Sequence, residues 1–562
     1  MKITRRAFLK ASCGAAAAAA LGKPVDLVLA AEPRADLALT NAAIVTMDDK
    51  TPTASAMIIR GDKIVAVGDE RSLAQMVAGA ANVVDLKGKG VSPGLIDAHS
   101  HLMAFGHMEK YFVNLRPPKV HDFATLGRTL ADAAAKLPAG QWVMARGFQE
   151  FDEGRYPTRK ELDEYVPNHP VLTVQWSGQY GIANTAALKQ SNLLSASAKD
   201  PYGGKFLRDS DGVPNGILMH YPAIYAVYEP KITDPQETDC IEWAAQEFVA
   251  CGVTCVHDNF TVPGTIRNYV ELDRAGKLPL RVRIYPYVAS VAHAQQVLSK
   301  MKRYKGPMAR IQGVKLAVDG YAMMYDIPEQ QKSLFLPMHP QDQFQEIVSL
   351  IHRADYQVDV HAAGDKGVDW TLDAFSKAAG GDRQVRSRRH RIEHYMFRKA
   401  DSIRRTADMG VPVCTQPAIV QVRADEMFAK MGKEREAAVM SIAPMKTFQQ
   451  AGVMLTIGAD VPAFPSHRPM ESFRGAMDRR TASGRLLDPA ERIGFMDAFK
   501  AHTMGAAQAS FDEGELGSLT AGKLADFVIW NGDLRNVKAA GDLARLQVLS
   551  TFVGGKKVYG SS

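Results

Sequence analysis

Eight short apolar, β-rich segments recur along this chain with helical stretches between them, and this alternation limits what the chain can fold into. The segments are residues 91–96, 252–257, 281–288, 313–318, 357–361, 390–394, 411–415 and 453–460. The intervening stretches, such as 240–250, 342–354, 369–379 and 400–409, carry apolar residues at helical spacing among good helix formers. Strand and helix alternating eight times is the pattern of a parallel (β/α)8, TIM-like barrel, an α/β fold whose chemistry sits at the C-terminal strand ends. Polar residues stand at those ends: His99 and His101 on the first segment, Lys315 on the fourth, His361 on the fifth, His394 on the sixth and Asp460 on the eighth.

The first segment runs into Asp97-Ala98-His99-Ser100-His101. Side chains alternate along a strand, so His99 and His101 project the same way. Two converging imidazoles suit a borderline divalent metal such as zinc. An isolated His-x-His reads equally well as surface or helix-capping histidines. Histidine, lysine and aspartate at so many other strand ends turn the reading to a metal site.

The same residues carry a family resemblance. Residues 92–101, Ser-Pro-Gly-Leu-Ile-Asp-Ala-His-Ser-His, resemble the opening signature of the amidohydrolase superfamily. His361-Ala362-Ala363-Gly364-Asp365-Lys366, Arg391-Ile392-Glu393-His394 and Ile457-Gly458-Ala459-Asp460-Val461-Pro462 resemble its YtcJ-like subgroup, amidohydrolase family 3, which includes N-substituted formamide deformylases. Residues 252–258 and 514–526 fit the same subgroup, and the resemblance spans nearly everything from 36 to 560. Two positions depart from it. The cap carries Ser177-Gly178-Gln179 where relatives commonly show Asp-Gly-His. It also carries Asn215-Gly216-Ile217-Leu218-Met219-His220 where they show Thr-Gly-x-Leu-x-Glu. These exchanges put formamide specificity in question and leave the metal chemistry intact.

The resemblance implies a ligand set for one or two divalent ions. His99, His101 and Asp460 hold one, His361 and His394 a second, and Lys315 bridges them as a carbamate, the role it has in binuclear relatives. The competing readings of Lys315 are an ion pair with Asp319 or another barrel carboxylate, and a Schiff-base lysine, which leaves four histidines and Asp460 unexplained. A divalent metal lowers the pKa of a bound water to about 7. Asp460 is then the general base and later the general acid. His257, Gln179, His220 and Asp319 are candidate substrate contacts, with simple hydrogen-bonded residues as the competing reading for the two histidines. Asp97 reads as a supporting partner and Asp365 as a helix cap.

Outside the barrel, residues 91–512, short strands are expected at 37–39, 43–47, 56–60 and 63–67, and again at 527–530, 548–553 and 556–559. Neither set makes a good core alone, so residues 36–90 and 513–562 are expected to pack as one composite β-sandwich. Residues 105–235 exceed an ordinary βα connection by about a hundred residues and read as an inserted cap with its own strand at 171–176 and helix at 185–189.

Thr4-Arg5-Arg6-Ala7-Phe8-Leu9-Lys10 and the alanine-rich run after it read as a twin-arginine signal over residues 1–30. The run is too short to span a membrane. The expected partner is the Tat translocase, the destination the periplasm or outside the cell, and no stable membrane anchor is foreseen. The net charge is +7, but residues 1–30 hold five basic side chains against Asp26, so the remainder is near +3. That excess does not imply nucleic acid, and the basic run 383–391 reads as a solvated loop. Cys240, Cys251, Cys255 and Cys414 match no metal-binding spacing and read as free thiols.

The leading expectation is an exported, metal-dependent hydrolase of a small-molecule C–N bond in an amide, N-acyl or N-formyl compound. The alternatives are a lactone, carbamate or phosphoester hydrolase on the same site, and a catalytically silent periplasmic binding protein. The oligomeric state is open, a homo-oligomer included.

Overall fold

A computed structural model of the chain describes residues 35–176, 178–227, 232–320, 322–325 and 337–560. The expected signal, residues 1–30, and Ser177 lie outside the described residues. The eight expected segments are realised as nine parallel strands: β1 (Leu95–Ser100), β2 (Val253–Thr261), β3 (Arg281–Pro286), β4 (Ala309–Ile311), β5 (Gly313–Ala317), β6 (Gln357–Ala362), β7 (Arg391–His394), β8 (Val413–Thr415) and β9 (Leu455–Ile457). Nearly all their residues are buried, which is why they read as near-continuous apolar runs rather than as alternating ones. The helices between them bury one stripe. In Gln341–Arg353 the buried positions are Phe344, Ile347, Val348 and Ile351, the spacing that puts side chains on one helical face. The helix Asp365–Ala379 stops at Gly380, whose φ of 83° supplies a left-handed cap.

The strands form two sheets, ordered β4-β3-β2-β1 and β5-β6-β7-β8-β9, instead of the single closed ladder expected. Both interruptions have a local cause. The fourth expected segment is preceded by the separate strand β4; the chain turns at Gln312, so β4 pairs with β3 while β5 pairs with β6. Across that gap the Val288 amide still donates to the Lys315 carbonyl at 2.9 Å. At the other end β9 stops at Ile457, and irregular bonds take over: Asp460 N to His99 O at 2.7 Å and His101 N to Val461 O at 2.9 Å. Gly458 allows this approach, because a Cβ there would lie 2.4 Å from the His99 amide nitrogen.

The expected strand at 91–96 divides at Gly94, where a Cβ would meet Thr254 Oγ1 at 2.1 Å. Gly90–Pro93 leaves the parallel sheet and pairs antiparallel with Phe527–Trp530. The resulting six-stranded sheet joins the two ends of the described chain, in the order Lys556–Tyr559, Val548–Val553, Phe527–Trp530, Gly90–Pro93, Ala43–Val45, Thr53–Ala54. Residues Leu39, Met57 and Ile59 of a neighbouring four-stranded sheet share an apolar cluster with Val91, Phe527 and Phe552. Arg281 of β3 grips Asp526 through two bonds of 2.7 and 2.9 Å, tying this unit to the parallel strands.

The insert has a mixed six-stranded sheet of its own, in the order Lys205–Arg208, Pro214–Met219, Tyr180–Ala183, Val171–Gln175, Val143–Phe148, Val113–Asn114. It touches the strand ends of the parallel sheets: Gln179 Nε2 donates to Gly320 O at 3.1 Å, and Arg146 to Pro462 O at 3.3 Å. Cys240, Cys255 and Cys414 are buried and Cys251 half-buried, all four as free thiols. Among the described residues no helix is long and apolar enough to cross a membrane.

The close approach at Gly458 can be tested. Gly458→Val is expected to destabilise the protein by about 1–3 kcal/mol, the usual cost of forcing extra atoms into a filled site. Gly514→Ala, with nothing within 4 Å of the added carbon, should leave the thermal midpoint unchanged. Equal midpoints for both variants would show that the seam is not closely packed.

Candidate active site

The seam between β1 and β9 gathers four of the expected ligands. His99 lies in β1 and His101 stands just before the helix Leu102–Tyr111. Asp460 follows β9 in a left-handed conformation with φ 54°, and His394 ends β7 with φ 77°. Such backbone costs a non-glycine residue about 1–3 kcal/mol and marks a position the surroundings hold for a purpose. Asp460 Oδ1 lies 3.1 Å from His101 Nε2 and 3.5 Å from His99 Nε2, and Oδ2 lies 3.9 Å from His394 Nδ1. The His394 ring is centred 4.9 Å from His99 and 4.2 Å from His361.

Partners on the far side fix which ring nitrogen faces inward. Glu393 accepts from His99 Nδ1, and the Gln416 side-chain oxygen accepts from His394 Nδ1 at 2.7 Å. An acceptor demands a proton on Nδ1, so with neutral rings both Nε2 lone pairs are available for a ligand. Burial, with His394 and Lys315 nearby, drives the pKa of His361 well below its usual value. Burial likewise brings His394 to about 3, despite Asp460. His99 behaves differently: burial and Lys315 oppose its charge, yet Glu393 and Asp460 lift it to about 9, so a cation there would have to displace a proton. Asp460 stays ionised; burial opposes this, but His99, His101 and His394 hold its pKa well below the carboxylate range.

Lys315 donates to Asp359 Oδ1 at 3.2 Å, and Asn259 donates to the other oxygen. Its partner is thus a carboxylate of β6, and not Asp319. Asp319 instead accepts the backbone amides of Met323, Ala363 and Gly364 at 2.7, 3.1 and 2.9 Å, which anchors the turn after β6. His361 Nε2 faces Asp319 Oδ1 at 3.4 Å without a hydrogen bond.

These groups form the floor of a cavity of about 150 Å³. Arg146, Gln179, Tyr221 and Tyr225 of the insert form one wall, and Phe260, near the end of β2, and Tyr287, just after β3, continue it. Of the expected substrate contacts, Gln179 and Asp319 line the cavity, whereas His257 and His220 do not. His257 is fully buried with Nδ1 2.9 Å from Arg391, and His220 bonds through Nδ1 to Gln179 Oε1 at 2.8 Å. Asp97 accepts the amides of His99 and Ala459 at 3.1 Å.

Arg391 corrects the expectation of a solvated basic loop at 383–391. It is fully buried, donates to Glu393 at 2.6 Å and to the Ala98 carbonyl at 2.6 Å, and sits 3.4 Å from the Tyr285 hydroxyl. A count of basic residues says nothing of which one begins a strand, and Arg391 is the first residue of β7. Glu393, Asp359 and Gln416 were also missed as supporting groups. Gln416 had the signal that found the histidines, a polar residue just past a strand end.

The donor set fits a divalent cation. One ligand atom each from His99, His394 and Asp460 lie within 4.8 Å of one another, and His361 Nε2 is a buried ring nitrogen without a hydrogen bond. Imidazole nitrogens beside an ionised carboxylate are donors zinc takes, once His99 gives up its proton.

A protein of Arabidopsis thaliana, LONG AFTER FAR-RED 3, is 30% identical over 558 residues, covering 93% of this chain and 92% of its own. The N-substituted formamide deformylase of Arthrobacter pascens is 27% identical, covering 93% and 98%. The structure of an uncharacterized metal-dependent hydrolase from Pyrococcus horikoshii superposes with a TM-score of 0.72 at 24% identity, over 90% of this chain and 99% of that one. The model of the amidohydrolase family matches residues 82–559, and the chain belongs to that family.

Proposed function

We propose that this protein is a metal-dependent hydrolase cleaving a C–N bond in an amide, N-acyl or N-formyl compound. The observation that carries the reading is the convergence of His99, His101, His394 and Asp460 on the floor of a cavity walled by the insert. The Arthrobacter deformylase supports the choice of bond, and the Pyrococcus hydrolase supports the metal. On this reading the two parallel sheets make up the (β/α)8 barrel, the terminal strands pack as a sandwich, and the insert is the cap.

His99, His101 and Asp460 would hold one ion and His361 and His394 a second, zinc by the nature of the donors. When bound, such an ion polarises a carbonyl and makes water more acidic. Asp460, ionised and within reach of two rings, takes the proton from the attacking water and returns it to the leaving nitrogen. Glu393 and Gln416 keep the His99 and His394 rings turned inward. For Lys315 to serve as a carbamate it would have to leave its ion pair with Asp359 and, as the neutral amine, take up carbon dioxide with release of a proton. Residues 1–30 would direct export by the twin-arginine route.

The metal-loaded protein is expected to hydrolyse at least one amide from a panel of amides, esters and phosphotriesters. Asp460→Asn should lower kcat on that compound by about 10²- to 10⁴-fold with little change in metal content. Turnover confined to esters or phosphotriesters would replace the amide reading, and a near-normal kcat in the variant would leave Asp460 as a ligand only.

Metal analysis should approach two ions per chain. His361→Ala should lose metal and activity together, and Lys315→Ala should lower the stoichiometry. One tightly held ion, unchanged in Lys315→Ala, would establish a mononuclear centre.

Replacing Arg5 and Arg6 together by lysine should retain the precursor in the cytoplasm, read by cell fractionation. Undiminished export would show that the pair is not the signal.

A further inference from the structure

Arg146, on the insert strand Val143–Phe148, lines the same cavity as His101 and Asp460. It is half-buried, and its contacts differ from those of the buried arginines, of which Arg423 also lines the cavity and lies over the Trp176 ring. Arg281 grips Asp526, Arg283 grips Asp512 and Arg391 grips Glu393. Arg479 has no carboxylate, but it closes the carbonyls of Met440, Ile442 and Ala443 and lines no part of this cavity. Arg146 donates from one nitrogen only, to the carbonyls of Trp176 at 3.1 Å and Pro462 at 3.3 Å. Among the described residues no carboxylate lies within 4 Å of it. Among the described residues the remaining edge of the guanidinium has no acceptor, and a half-buried guanidinium with that edge open to the cavity favours an anionic occupant.

The wall beside it is aromatic. Tyr221 stacks on Tyr225 with ring centres 6.0 Å apart, Tyr225 on Phe260 at 6.3 Å and Phe260 on Tyr287 at 4.4 Å. Phe260 also meets the His101 ring edge to face at 6.0 Å. This ladder of four rings runs from the insert to the metal-ligand floor and offers a continuous apolar face. The carboxylates on the lining are already committed: Asp460 to the histidines and Asp319 to three backbone amides.

We propose that Arg146 binds a carboxylate of the substrate, so that the substrate class is an amide carrying both a carboxylate and an aromatic group. The aromatic part lies along the Tyr221–Tyr287 ladder, the carboxylate pairs with the free edge of Arg146, and the amide reaches the floor. The fork of an arginine takes a carboxylate through two parallel bonds, which a lysine cannot reproduce. This assignment rests on the reading of the cavity as a hydrolytic site.

The test separates the two readings by measuring binding apart from turnover. Calorimetry on the metal-loaded protein compares 3-phenylpropionate with 3-phenylpropan-1-ol, and hydrolysis compares N-formylphenylalanine with N-formylphenethylamine, which lacks only the carboxylate. The acid should bind on the order of 10- to 100-fold more tightly than the alcohol, as expected for a hydrogen-bonded charge pair. The same ratio should appear in kcat/KM for the formamides. Arg146→Met should bring both ratios close to one, and Arg146→Lys should restore only part of them while keeping the wild-type melting temperature. A preference that survives Arg146→Met would put the anion on the metal centre and overturn the proposal. Equal loss for acid and alcohol would overturn it too, making Arg146 only a clamp between the insert and Pro462. An Arg146-dependent preference in binding without hydrolysis of either formamide would uphold the anion site and count against the amidase reading. Hydrolysis of both formamides at equal rates would do the reverse.

Discussion

The backbone of His99 occupies the space a side chain would need at residue 458, and the site depends on that contact. Because Gly458 lets β9 press against β1, the Asp460 amide reaches the His99 carbonyl at 2.7 Å and its left-handed backbone turns the carboxylate toward the rings. Asp97 fastens the same seam. Its carboxylate is fully buried and accepts the amides of His99 and Ala459, one from each side. Burial pushes that carboxyl up to about 7, with the two amide bonds pulling the other way. Residues 361 positions apart in sequence are held within hydrogen-bond reach by a missing side chain and one carboxylate.

Beneath the rings lies a network of buried charge. Arg391, Glu393, Asp359 and Lys315 are almost entirely shielded from water. Removing one member of such a network usually costs about 3–5 kcal/mol, because the partner is left charged and unpaired. Arg391 is its centre. It fixes Glu393, which orients His99, and it holds the Ala98 carbonyl next to that histidine. Part of what aims His99 therefore lies in Arg391 and Glu393, which do not line the cavity.

Much of the α/β pattern could be read from the sequence because periodicity encodes burial. The helix Ala400–Met409 and the strands Ala56–Arg60, Phe527–Trp530, Val548–Val553 and Lys556–Tyr559 fall where the apolar pattern places them. The break at Gly94 and the gap at Gln312 could not be read, because each depends on which distant strand lies alongside. The polar strand ends gave His99, His101, His394 and Asp460 a common location. Their partners were hidden for a physical reason: Glu393, Asp359 and Arg391 are fully buried on the parallel strands, where a charged residue in an apolar run looks like an irregularity until its counter-charge is seen. The choice of Asp359 rather than Asp319 beside Lys315 follows from register. Lys315 and Asp359 are paired directly across β5 and β6, whereas Asp319 lies past the strand end, among amides it can cap.

The candidate metal ligands and the wall that faces them sit on different parts of the chain. The floor comes from the ends of parallel strands, held by ladder pairing within each sheet and by irregular bonds across the seam. The wall comes largely from an insert with a core of its own, free to change without disturbing the ligands. The two departures from the subgroup pattern obey this division and touch each other: Gln179 Oε1 accepts from His220 Nδ1 at 2.8 Å, and the His220 amide bonds back to the Gln179 carbonyl at 2.7 Å. Relatives commonly carry histidine at the first position and glutamate at the second, so here the imidazole has crossed to the other partner and the carboxylate is gone. The pair remains satisfied, and Gln179 spends its amide on the Gly320 carbonyl beside Asp319. His220 lies behind that wall rather than on it, so the exchange reaches the cavity only through Gln179, on a lining where Arg146 has no carboxylate partner among the described residues. On the proposed reading, a wall with that balance of charge would select among substrates by their charge.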